Sequence, residues 1–319
     1  MARIGTDILA AKKYLQTGEV VGIPTETVYG LAGNAFDDDA VLKIFRVKNR
    51  PQFDPLIVHT YSIAQVASFV SEFSEKAQRL AEAFWPGPLT LLLPKSAAIS
   101  DLVTSGLNTV AVRIPNHSLT LELLSILDFP LAAPSANPFG YISPTSAIHV
   151  EKQLGEKISY ILDGGESEVG IESTIVGFED NEAIVYRLGG TSVEAIEQVI
   201  GPVKSVVPSS SNPKAPGMLK SHYAPGKPLV INRLAHTLAH FAPDKIGSLT
   251  FDHVIEQIPA ENQRVLSPSA GYAEAAKNLF AYMRQLDSLP IEVIHAELLP
   301  EKDLGRAIND RIRRASVRE

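Results

Sequence analysis

Residues 205–226 of this chain, SVVPSSSNPKAPGMLKSHYAPG, place the strongest limit on how it can fold. The segment contains four prolines and several serines, and such a composition resists packing and forms a semi-rigid linker. A chain of 319 residues is also too long for one average domain. We therefore predict one domain over residues 1–204, a linker over residues 205–226 and a second domain over residues 227–319.

The linker carries three side chains that a plain spacer does not need. Met218, His222 and Tyr223 lie within its MLKSHY segment. Isolated histidine and tyrosine residues are common in proteins without any functional role. The sequence pattern alone leaves both an incidental and a functional interpretation open for this part of the linker.

The composition excludes several classes of protein. The chain is 45% hydrophobic and 20% charged, which is ordinary for a globular protein. Its net charge of -7 argues against a protein that coats nucleic acid by bulk attraction, so any phosphate contact must come from a local cluster. The absence of cysteine excludes disulfides, cysteine nucleophiles and thiolate metal sites. No apolar run has the length of a signal peptide or a membrane helix, so we expect a cytoplasmic protein without membrane contact.

Alternating apolar segments and helical patterns predict an α/β fold on both sides of the linker. In the first domain, strands are predicted at residues 20–23, 89–93, 109–114, 131–133, 160–162, 174–178 and 183–188, and helices at residues 6–17, 38–47, 117–127 and 191–200. In the second, strands at residues 228–231, 246–251, 264–267 and 291–295 alternate with helices at residues 234–241, 272–287 and from residue 304. Thr6, Ser62, Ser74 and Thr191 are the predicted helix caps, and the arginines of the last helix are interpreted mainly as a charged solvent face.

Two cations one residue apart, Lys48 and Arg50, stand where a predicted helix ends. A helix ends at or before the residue that precedes proline, and Pro51 therefore stops the helix that starts at Asp38. In a non-helical Lys-Asn-Arg segment both side chains can converge on one anion, arginine as a planar fork and lysine as a mobile charge. The alternative is a solvated loop with two ordinary surface charges.

Other polar residues follow predicted strands, and each has a structural as well as a functional interpretation. Residues 24–33, PTETVYGLAG, form either a ligand-binding turn or a polar turn that caps the next helix. Arg113 interrupts a buried strand and must pair with either an internal carboxylate or a bound anion. Ser143 and Thr145 precede a helix, where they can cap it or gather donors around an anion.

The chain lacks the common nucleotide-binding and hydrolase motifs. No G-x-x-x-x-G-K-S/T, G-x-G-x-x-G, H-E-x-x-H or G-x-S-x-G segment occurs in it. The polar residues at predicted strand ends are mostly cations and hydroxyls: Thr25, Thr27, Lys48, Arg50, His59, Arg113, Ser135, Asn137, Ser143, Ser173 and Arg187. Such a set suits anionic reactants whose transfer depends on positioning and charge stabilisation, as in phosphoryl or nucleotidyl transfer. It does not suggest a covalent nucleophile.

Eight ordered blocks of this sequence resemble a known family. They are the Lys48-x-Arg50 and Ser135-x-Asn137 pairs, PTETVYGL, PLIVH, TVAVRIP, APSAN, GIESTIV and the linker HYAP. Together they are similar to the threonylcarbamoyl-adenylate synthases with a YrdC-like catalytic domain, along most of the first 225 residues. The C-terminal domain and the AINDRIRRA ending resemble the longer, two-domain branch of that family. The resemblance implies a twisted, largely open α/β sheet with a concave, positively charged cavity, followed by a smaller open-sheet α/β domain of Rossmann-like type.

The resemblance also implies an activity and its ligands. L-threonine, bicarbonate and ATP would be joined into threonylcarbamoyl-adenylate with release of pyrophosphate, and Mg²⁺ would be carried by ATP without protein side-chain ligands. The product would pass to a tRNA threonylcarbamoyl-transferase complex that modifies the adenosine beside the anticodon, with a weak contact to tRNA itself. The linker would be an active-site lid.

Residue roles follow from the same resemblance. Lys48 and Arg50 would be catalytic, with Lys48 beside the bicarbonate or the triphosphate, and Arg113 would take the carboxylate of threonine. The implied threonine-binding residues are Thr27, His59, Arg113, Ala133 and Ser173, and the implied ATP-binding residues are Arg50, Asp54, Thr109, Ser135, Asn137, Ser143, Arg187 and Tyr223. Alanine at Lys48 or Arg50 is expected to lower turnover far more than fold stability.

The sequence departs from the family pattern at three places. They are Phe53-Asp54, residues 219–221 of the linker and Leu188. The first departure weakens the expectation of a contact from Asp54 to ATP, and the second removes an arginine that could contact a phosphate. None of the three affects the Lys48-x-Arg50 and Ser135-x-Asn137 pairs.

Two other functions fit parts of the same pattern. A carbamoyl-transferring domain of the hydrogenase-maturation type would act on carbamoyl phosphate, but the long partner segments expected for it are missing. A non-catalytic RNA-binding protein would use the same basic concavity, although the net charge of -7 argues against it. Pyrophosphate release measured with each amino acid in turn distinguishes the three functions.

Overall fold

Two sheets organise the residues that the computed structural model describes, which are residues 1–180, 182–205, 215–218 and 221–317. The first part of the chain forms a mixed sheet of 11 strands, and the second part forms a parallel sheet of 4 strands. The predicted α/β class is therefore confirmed on both sides of the linker. Within these residues, no helix combines the length and the apolar character needed to cross a membrane.

The large sheet is built from short strands with helices between them. Its strands are β1 (Arg3–Gly5), β2 (Val21–Ile23), β3 (Gly30–Asn34), β4 (Ile57–His59), β5 (Leu89–Pro94), β6 (Thr109–Arg113), β7 (Leu131–Ala132), β8 (Tyr160–Leu162), β9 (Thr174–Glu179), β10 (Glu182–Arg187) and β11 (Lys204–Ser205). The helices are α1 (Ile8–Gln16), α2 (Asp38–Lys48), α3 (Ile63–Val66), α4 (Glu75–Phe84), α5 (Asp101–Thr104), α6 (Ser118–Ser125), α7 (Ala147–Leu154) and α8 (Val193–Ile200). The strand order is β1-β8-β2-β3-β7-β4-β6-β5-β9-β10-β11.

The register of this sheet makes neighbours of residues that are distant in sequence. β4 and β6 run parallel and pair His59 with Arg113 at their ends. An isolated bridge joins Gly30, at the start of β3, to Ser135, which follows β7. Polar residues from several strand ends therefore meet on the same part of the sheet.

Capping chemistry explains the limits of α2. The side chain of Asp37 accepts hydrogen bonds from backbone amides at the N-terminus of the helix, and acidic residues follow in the first turn, where they favour the helix dipole. Asn49 ends the helix in the left-handed conformation, with φ of 53°, which asparagine tolerates better than most residues. Lys48 is thus the last helical residue, and Arg50 follows the cap.

The second part of the chain folds around the parallel sheet. Its strands are β12 (Leu229–Ile231), β13 (Ile246–Thr250), β14 (Gln263–Val265) and β15 (Val293–Ala296), in the order β12-β15-β13-β14. The helices are α9 (Leu234–His240), α10 (Tyr272–Ser288) and α11 (Gly305–Ala315), with short 3-10 helices at Pro243–Lys245 and Ala260–Asn262. The smaller α/β sheet predicted after the linker is confirmed.

The two parts of the chain pack directly against each other. One apolar core joins Val28, Ile142 and Ile171 to buried residues of α10 and α11. Gly170 has a positive φ of 76° and lies so close to α10 that an added Cβ would overlap the backbone of Lys277. The loop that leads into β9 is therefore held by the second domain.

The described pieces of the predicted linker are also packed. Ala215 and Met218 belong to an apolar cluster with Ile57, and His222 and Tyr223 are buried. Residues 206–214 and 219–220 of the linker lie outside the described residues. The predicted role of the linker as a lid, and the predicted domain limits, stay predictions.

Several local predictions are wrong, each for a physical reason. Residues 30–34 form β3 rather than a turn, because pairing with β2 and β7 satisfies their backbone groups. The caps of α1 and α8 are Asp7 and Ser192, whereas Thr6 and Thr191 are the predicted caps. Ser146 caps α7, so the capping alternative for Ser143 and Thr145 is wrong. The solvent-face interpretation of the last helix fails for Arg311 and Arg314, which are 0% and 5% exposed.

Candidate active site

A cavity lies where strand ends of the large sheet meet the described part of the linker. Its walls contain three arginines together with hydroxyl-bearing and small side chains. The predicted site residues that line it are Thr27, Arg50, His59, Arg113, Ala133, Ser135, Ser173, Arg187 and Tyr223. The structure therefore brings most of the predicted residues to one place.

Arg113 reaches the cavity from the end of β6 and has partners within the protein. Its guanidinium lies 2.5 Å from a carboxylate oxygen of Glu26 and donates hydrogen bonds to the hydroxyl of Thr27 (2.8 Å) and the carbonyl of Gly87 (3.1 Å). Of the two alternatives for Arg113, the structure thus shows the internal carboxylate, while the guanidinium also lines the cavity. The implied contact with the carboxylate of threonine stays a prediction.

The turn that follows β2 lines the cavity and does not cap a helix. The hydroxyls of Thr25 and Thr27 share a hydrogen bond of 2.8 Å, and Thr25 donates to the carbonyl of Val28 (2.7 Å). Because α2 is capped by Asp37, the helix-capping alternative for this turn is wrong. The turn offers its hydroxyls to the cavity instead.

His59 is neutral at the cavity wall. Burial, with a smaller contribution from the charge of Arg113, lowers the pKa of His59 to about 3. Its Nδ1 atom lies 3.2 Å from the carbonyl oxygen of Ile57, so a proton on Nδ1 leaves Nε2 as an acceptor. At neutral pH this uncharged imidazole can accept a hydrogen bond from a ligand at Nε2 without becoming protonated.

Arg50 and Asp54 form a buried pair that reaches the linker. The guanidinium lies 2.9 Å from the carboxylate of Asp54 and donates to the carbonyls of Asp54 (3.1 Å) and Pro55 (2.8 Å). The second carboxylate oxygen of Asp54 accepts a hydrogen bond from the amide of Gly217 (3.3 Å). Arg50 lines the cavity, whereas Asp54 is fully buried outside its wall. Asp54 therefore connects Arg50 to the linker, and its contact with ATP stays a prediction.

Lys48 is buried beside the cavity. Its ammonium group donates hydrogen bonds to the carbonyl oxygens of Ser135 (2.5 Å) and Asn137 (2.6 Å). Burial, and then the charge of Arg50, lowers the pKa of Lys48 well below its usual value. The alternative of two ordinary surface charges is therefore wrong for Lys48 and Arg50, although the two cations bind different partners within the protein.

Arg187 ties the end of β10 to the start of β9 and to the linker. Two of its nitrogens donate to the carbonyl of Ser173 (3.0 and 2.9 Å), and one of these also donates to the Ser173 hydroxyl (3.0 Å). A third nitrogen donates to the carbonyl of Pro216 (3.4 Å). Burial lowers the pKa of Arg187 to about 10, so its guanidinium remains charged at neutral pH.

Glu172 lines the cavity although the sequence pattern did not single it out. Its carboxylate accepts a hydrogen bond from the hydroxyl of Ser143 (2.5 Å) and two from Arg311 of α11 (3.2 and 3.1 Å). Its position in the GIESTIV block, directly before Ser173, is the signal that could have identified it. Glu26, inside PTETVYGL, carries the same kind of signal.

Three further predicted ATP-binding residues lie outside the cavity wall. Thr109, at the start of β6, lines a different and larger cavity. The side-chain amide of Asn137 donates to the carbonyl of Tyr141 (2.8 Å) and thereby shapes the turn after β7. Ser143 is buried, and its hydroxyl is engaged by Glu172. The contacts of these residues with ATP stay predictions.

The carboxylates near the cavity do not form a metal site. Glu26, Asp54 and Glu172 are each paired with an arginine, at 2.5, 2.9 and 3.1 Å. No group of three or more His, Asp or Glu side chains that could hold a metal ion occurs in the part of the chain that the structure describes. The expectation that Mg²⁺ is carried by ATP stays a prediction.

The arrangement is suited to binding anions rather than to covalent catalysis. Its guanidinium groups are held in fixed positions by neighbouring oxygens, and the hydroxyls of Thr27 and Ser173 lie beside them. Preorganised cations of this kind stabilise negative charge that develops during a reaction. The carboxylates are paired, so they are poorly placed to act as general bases.

Comparison with known proteins agrees with this geometry. Residues 13–189 match the Sua5/YciO/YrdC family, described as "Telomere recombination", and residues 191–317 match the family described as "Threonylcarbamoyl-AMP synthase, C-terminal domain". The chain is 40% identical to the threonylcarbamoyl-AMP synthase of Pyrococcus abyssi, with 97% of this chain and 94% of that protein covered. It is also 40% identical to the threonylcarbamoyl-AMP synthase of Bacillus subtilis, with 97% and 92% covered.

A solved structure extends the likeness to three dimensions. The crystal structure of Pyrococcus abyssi Sua5 complexed with L-threonine superposes with a TM-score of 0.90 at 38% identity, and 97% of this chain and 94% of that chain are covered. Among the described residues, the two family matches contain every strand of both sheets except β1, and the structural match covers 97% of the chain. The chain therefore belongs to the threonylcarbamoyl-AMP synthase family, in its two-domain form.

Proposed function

We propose that the protein is a threonylcarbamoyl-AMP synthase that joins L-threonine, bicarbonate and ATP and releases pyrophosphate. The observation that carries the proposal is one cavity in which Arg50, Arg113 and Arg187 lie beside the hydroxyls of Thr27 and Ser173. The likeness to two synthases over both domains supports it, as does the related Pyrococcus protein that was crystallised with L-threonine. Arginine-rich walls suit a carboxylate and a triphosphate equally well.

In this proposal threonine lies at the ends of β4 and β6. Arg113 binds its carboxylate, with Thr27, Ala133 and Ser173 as neighbours. His59, whose pKa is lowered to about 3 by burial, is neutral and accepts a hydrogen bond from the amino group. Because His59 holds no positive charge, it does not repel that amino group.

The proposed reaction has two steps. The uncharged amine of threonine attacks the carbon of bicarbonate, or of CO2 formed from it, and gives a carbamate with loss of water. A carbamate oxygen then attacks the α-phosphorus of ATP, and the bond from that phosphorus to the oxygen of the leaving pyrophosphate breaks. Lys48 and Arg50 offset the negative charge that builds on the phosphates.

ATP would bind along the remaining cations and hydroxyls. The proposed contacts are Arg50, Asp54, Thr109, Ser135, Asn137, Ser143, Arg187 and Tyr223. Mg²⁺ would arrive with ATP and supply further charge stabilisation at the phosphate oxygens. Since Glu26, Asp54 and Glu172 are paired with arginines, no protein carboxylate is proposed as its ligand.

The product has a proposed destination. Threonylcarbamoyl-AMP would serve a tRNA threonylcarbamoyl-transferase complex that modifies the adenosine beside the anticodon, and the protein would work in the cytoplasm with a weak contact to tRNA. An adenylate is an activated acyl donor, so a transferase that moves the threonylcarbamoyl group to the adenosine and releases AMP must follow.

The test is an assay of pyrophosphate release with ATP, bicarbonate and each amino acid in turn. Threonine-specific release is the expected result. Release that depends on carbamoyl phosphate would favour a carbamoyl-transfer domain of the hydrogenase-maturation type, and no release in either case would favour a non-catalytic RNA-binding protein. Equal threonine-dependent release by the Lys48→Ala protein would contradict the catalytic role of Lys48.

A further inference from the structure

A carboxylate on the wall of the proposed ATP cavity has its charge balanced from the other domain. Glu172 is 7% exposed, and one of its oxygens accepts hydrogen bonds from Nε and Nη2 of Arg311 at 3.2 and 3.1 Å. Arg311 lies on α11 and is fully buried. Two guanidinium nitrogens that converge on one carboxylate oxygen form a strong, directional contact.

Other partners fix the orientation of Arg311. Its Nη1 atom donates to the carbonyl of Leu188 (2.5 Å) and lies 3.3 Å from the carboxylate of Asp310. The guanidinium groups of Arg311 and Arg314 lie 5.5 and 4.9 Å from the ring centre of Tyr223. The helix α11 thus contacts the linker residue and the carboxylate at the same place on the cavity wall.

Glu172 in turn holds a residue that is proposed to contact ATP. Its second oxygen accepts the hydroxyl of Ser143 (2.5 Å). Burial opposes ionisation of Glu172, but Arg311, Arg187 and the Ser143 hydroxyl together bring its pKa below the usual value. A negative group in this position repels a triphosphate unless a nearby cation offsets it.

We propose that Arg311 is a positioning residue for ATP binding, which offsets the charge of Glu172 and holds that carboxylate on Ser143. The inference rests on the proposed function, because it takes ATP as the ligand of the cavity. Through Arg311 the C-terminal domain would offset a negative charge in a cavity whose walls come from the first domain and the linker. Removal of Arg311 leaves Glu172 without its ion-pair partner, so more of its negative charge acts where the phosphates are proposed to bind.

Calorimetry with ATP and the kinetics of pyrophosphate release together test this inference. In Arg311→Met the Kd and KM for ATP should rise by about tenfold, because a charge-assisted pair is lost and the carboxylate of Glu172 remains without its ion-pair partner. The KM for threonine should change by less than about twofold, since its proposed contacts have other partners. The matched control is Arg313→Met on the same helix, whose side chain is 51% exposed and pairs with Glu301, and it should match the wild type.

A second substitution separates charge balance from a merely structural role. In Arg311→Met/Glu172→Gln the negative charge of Glu172 is also absent, so the affinity for ATP should return to within about threefold of the wild type. A double variant as weak as Arg311→Met would overturn the inference, and so would Arg311→Met with unchanged affinity for ATP.

Glu172→Gln alone keeps the inference testable if Arg311→Met does not fold. Arg311 retains Leu188 and Asp310 as partners in that protein, and the side-chain oxygen of glutamine can still accept the Ser143 hydroxyl. ATP should therefore bind at least as tightly as in the wild type. Binding weaker by more than about threefold would overturn the inference. Failure of the proposed function is recognised separately, because the wild-type protein would then neither bind ATP nor release pyrophosphate with threonine.

Discussion

Replacement of Lys48 with methionine should destabilise the fold as well as slow the proposed reaction. Methionine keeps the apolar stem of lysine and removes the ammonium group. Lys48 is 1% exposed, and its ammonium group donates to the carbonyls of Ser135 (2.5 Å) and Asn137 (2.6 Å). Because Lys48 is buried, loss of its ammonium group is expected to affect stability as well as turnover.

Two opposing effects set the size of the change. A hydrogen bond from a charged group contributes about 1.5–3 kcal/mol, so the loss of two costs about 3–6 kcal/mol. Methionine also removes the cost of burying an ammonium group, which is the cost that lowers the pKa of Lys48, and this offsets part of the lost free energy of unfolding. The carbonyl of Asn137 loses its donor inside the protein, so the first effect wins and we expect a net loss of about 2 kcal/mol.

Urea unfolding followed by the fluorescence of the single tryptophan, the buried Trp85, measures the change. Lys43→Met is the matched control on the same helix, because the side chain of Lys43 is a third exposed and its ammonium pairs with Glu19 at 2.9 Å. The control should lose less than about 1 kcal/mol. A Lys48→Met protein as stable as Lys43→Met would refute the reasoning.

Two further perturbations test the interior of the site and the contact between the domains. His59 takes up a proton in the unfolded chain below its usual pKa of 6.5, but in the fold only near pH 3, so the wild type loses stability as the pH falls through that window. In urea unfolding, the free energy of unfolding of His59→Gln should therefore fall by about 3 kcal/mol less than that of the wild type between about pH 7 and pH 4. An equal fall in the two proteins would contradict this. Gly170→Ala should lower the thermal midpoint more than Gly165→Ala, because both glycines have a positive φ (76° and 82°) but an added Cβ at Gly170 alone of the two meets α10. Equal midpoints would show that the loop does not depend on this close approach.

The elements that could be predicted are those whose signals are local. The helix predicted at residues 38–47 is observed as Asp38–Lys48. Its N-cap, its left-handed C-cap and the proline that stops it all lie within three residues of the helix ends, so the signals are local. The strand β3, by contrast, is a glycine-rich segment that depends on β2 and β7 for its hydrogen bonds. Its partners follow from the tertiary fold, so periodicity could not identify it.

In the site, too, single residues could be predicted from local signals, whereas their ion-pair partners could not. Cations and hydroxyls at strand ends could be identified from the sequence, since such residues interrupt apolar runs. Their carboxylate partners could not, because each pair is made by the fold: Glu26 joins Arg113, and Glu172 joins Arg311 from 139 residues away. For that reason the sequence pattern predicts a solvent face for the last helix, whereas its buried Arg311 binds Glu172 on the cavity wall.

The pattern of internal pairing also indicates where a phosphate is attracted most strongly. The charges of Arg50 and Arg113 are largely offset by Asp54 and Glu26. The same two carboxylates fix both guanidinium groups, so ligand binding costs less side-chain conformational entropy. Arg187 is held by neutral oxygens of the backbone and a hydroxyl, and no ion pair offsets its charge among the described residues. The strongest attraction for a phosphate is therefore expected at Arg187. Glu172 is the carboxylate that opposes this attraction, and because Arg311 binds it, the C-terminal helix acts at the point where the cavity most needs net positive charge.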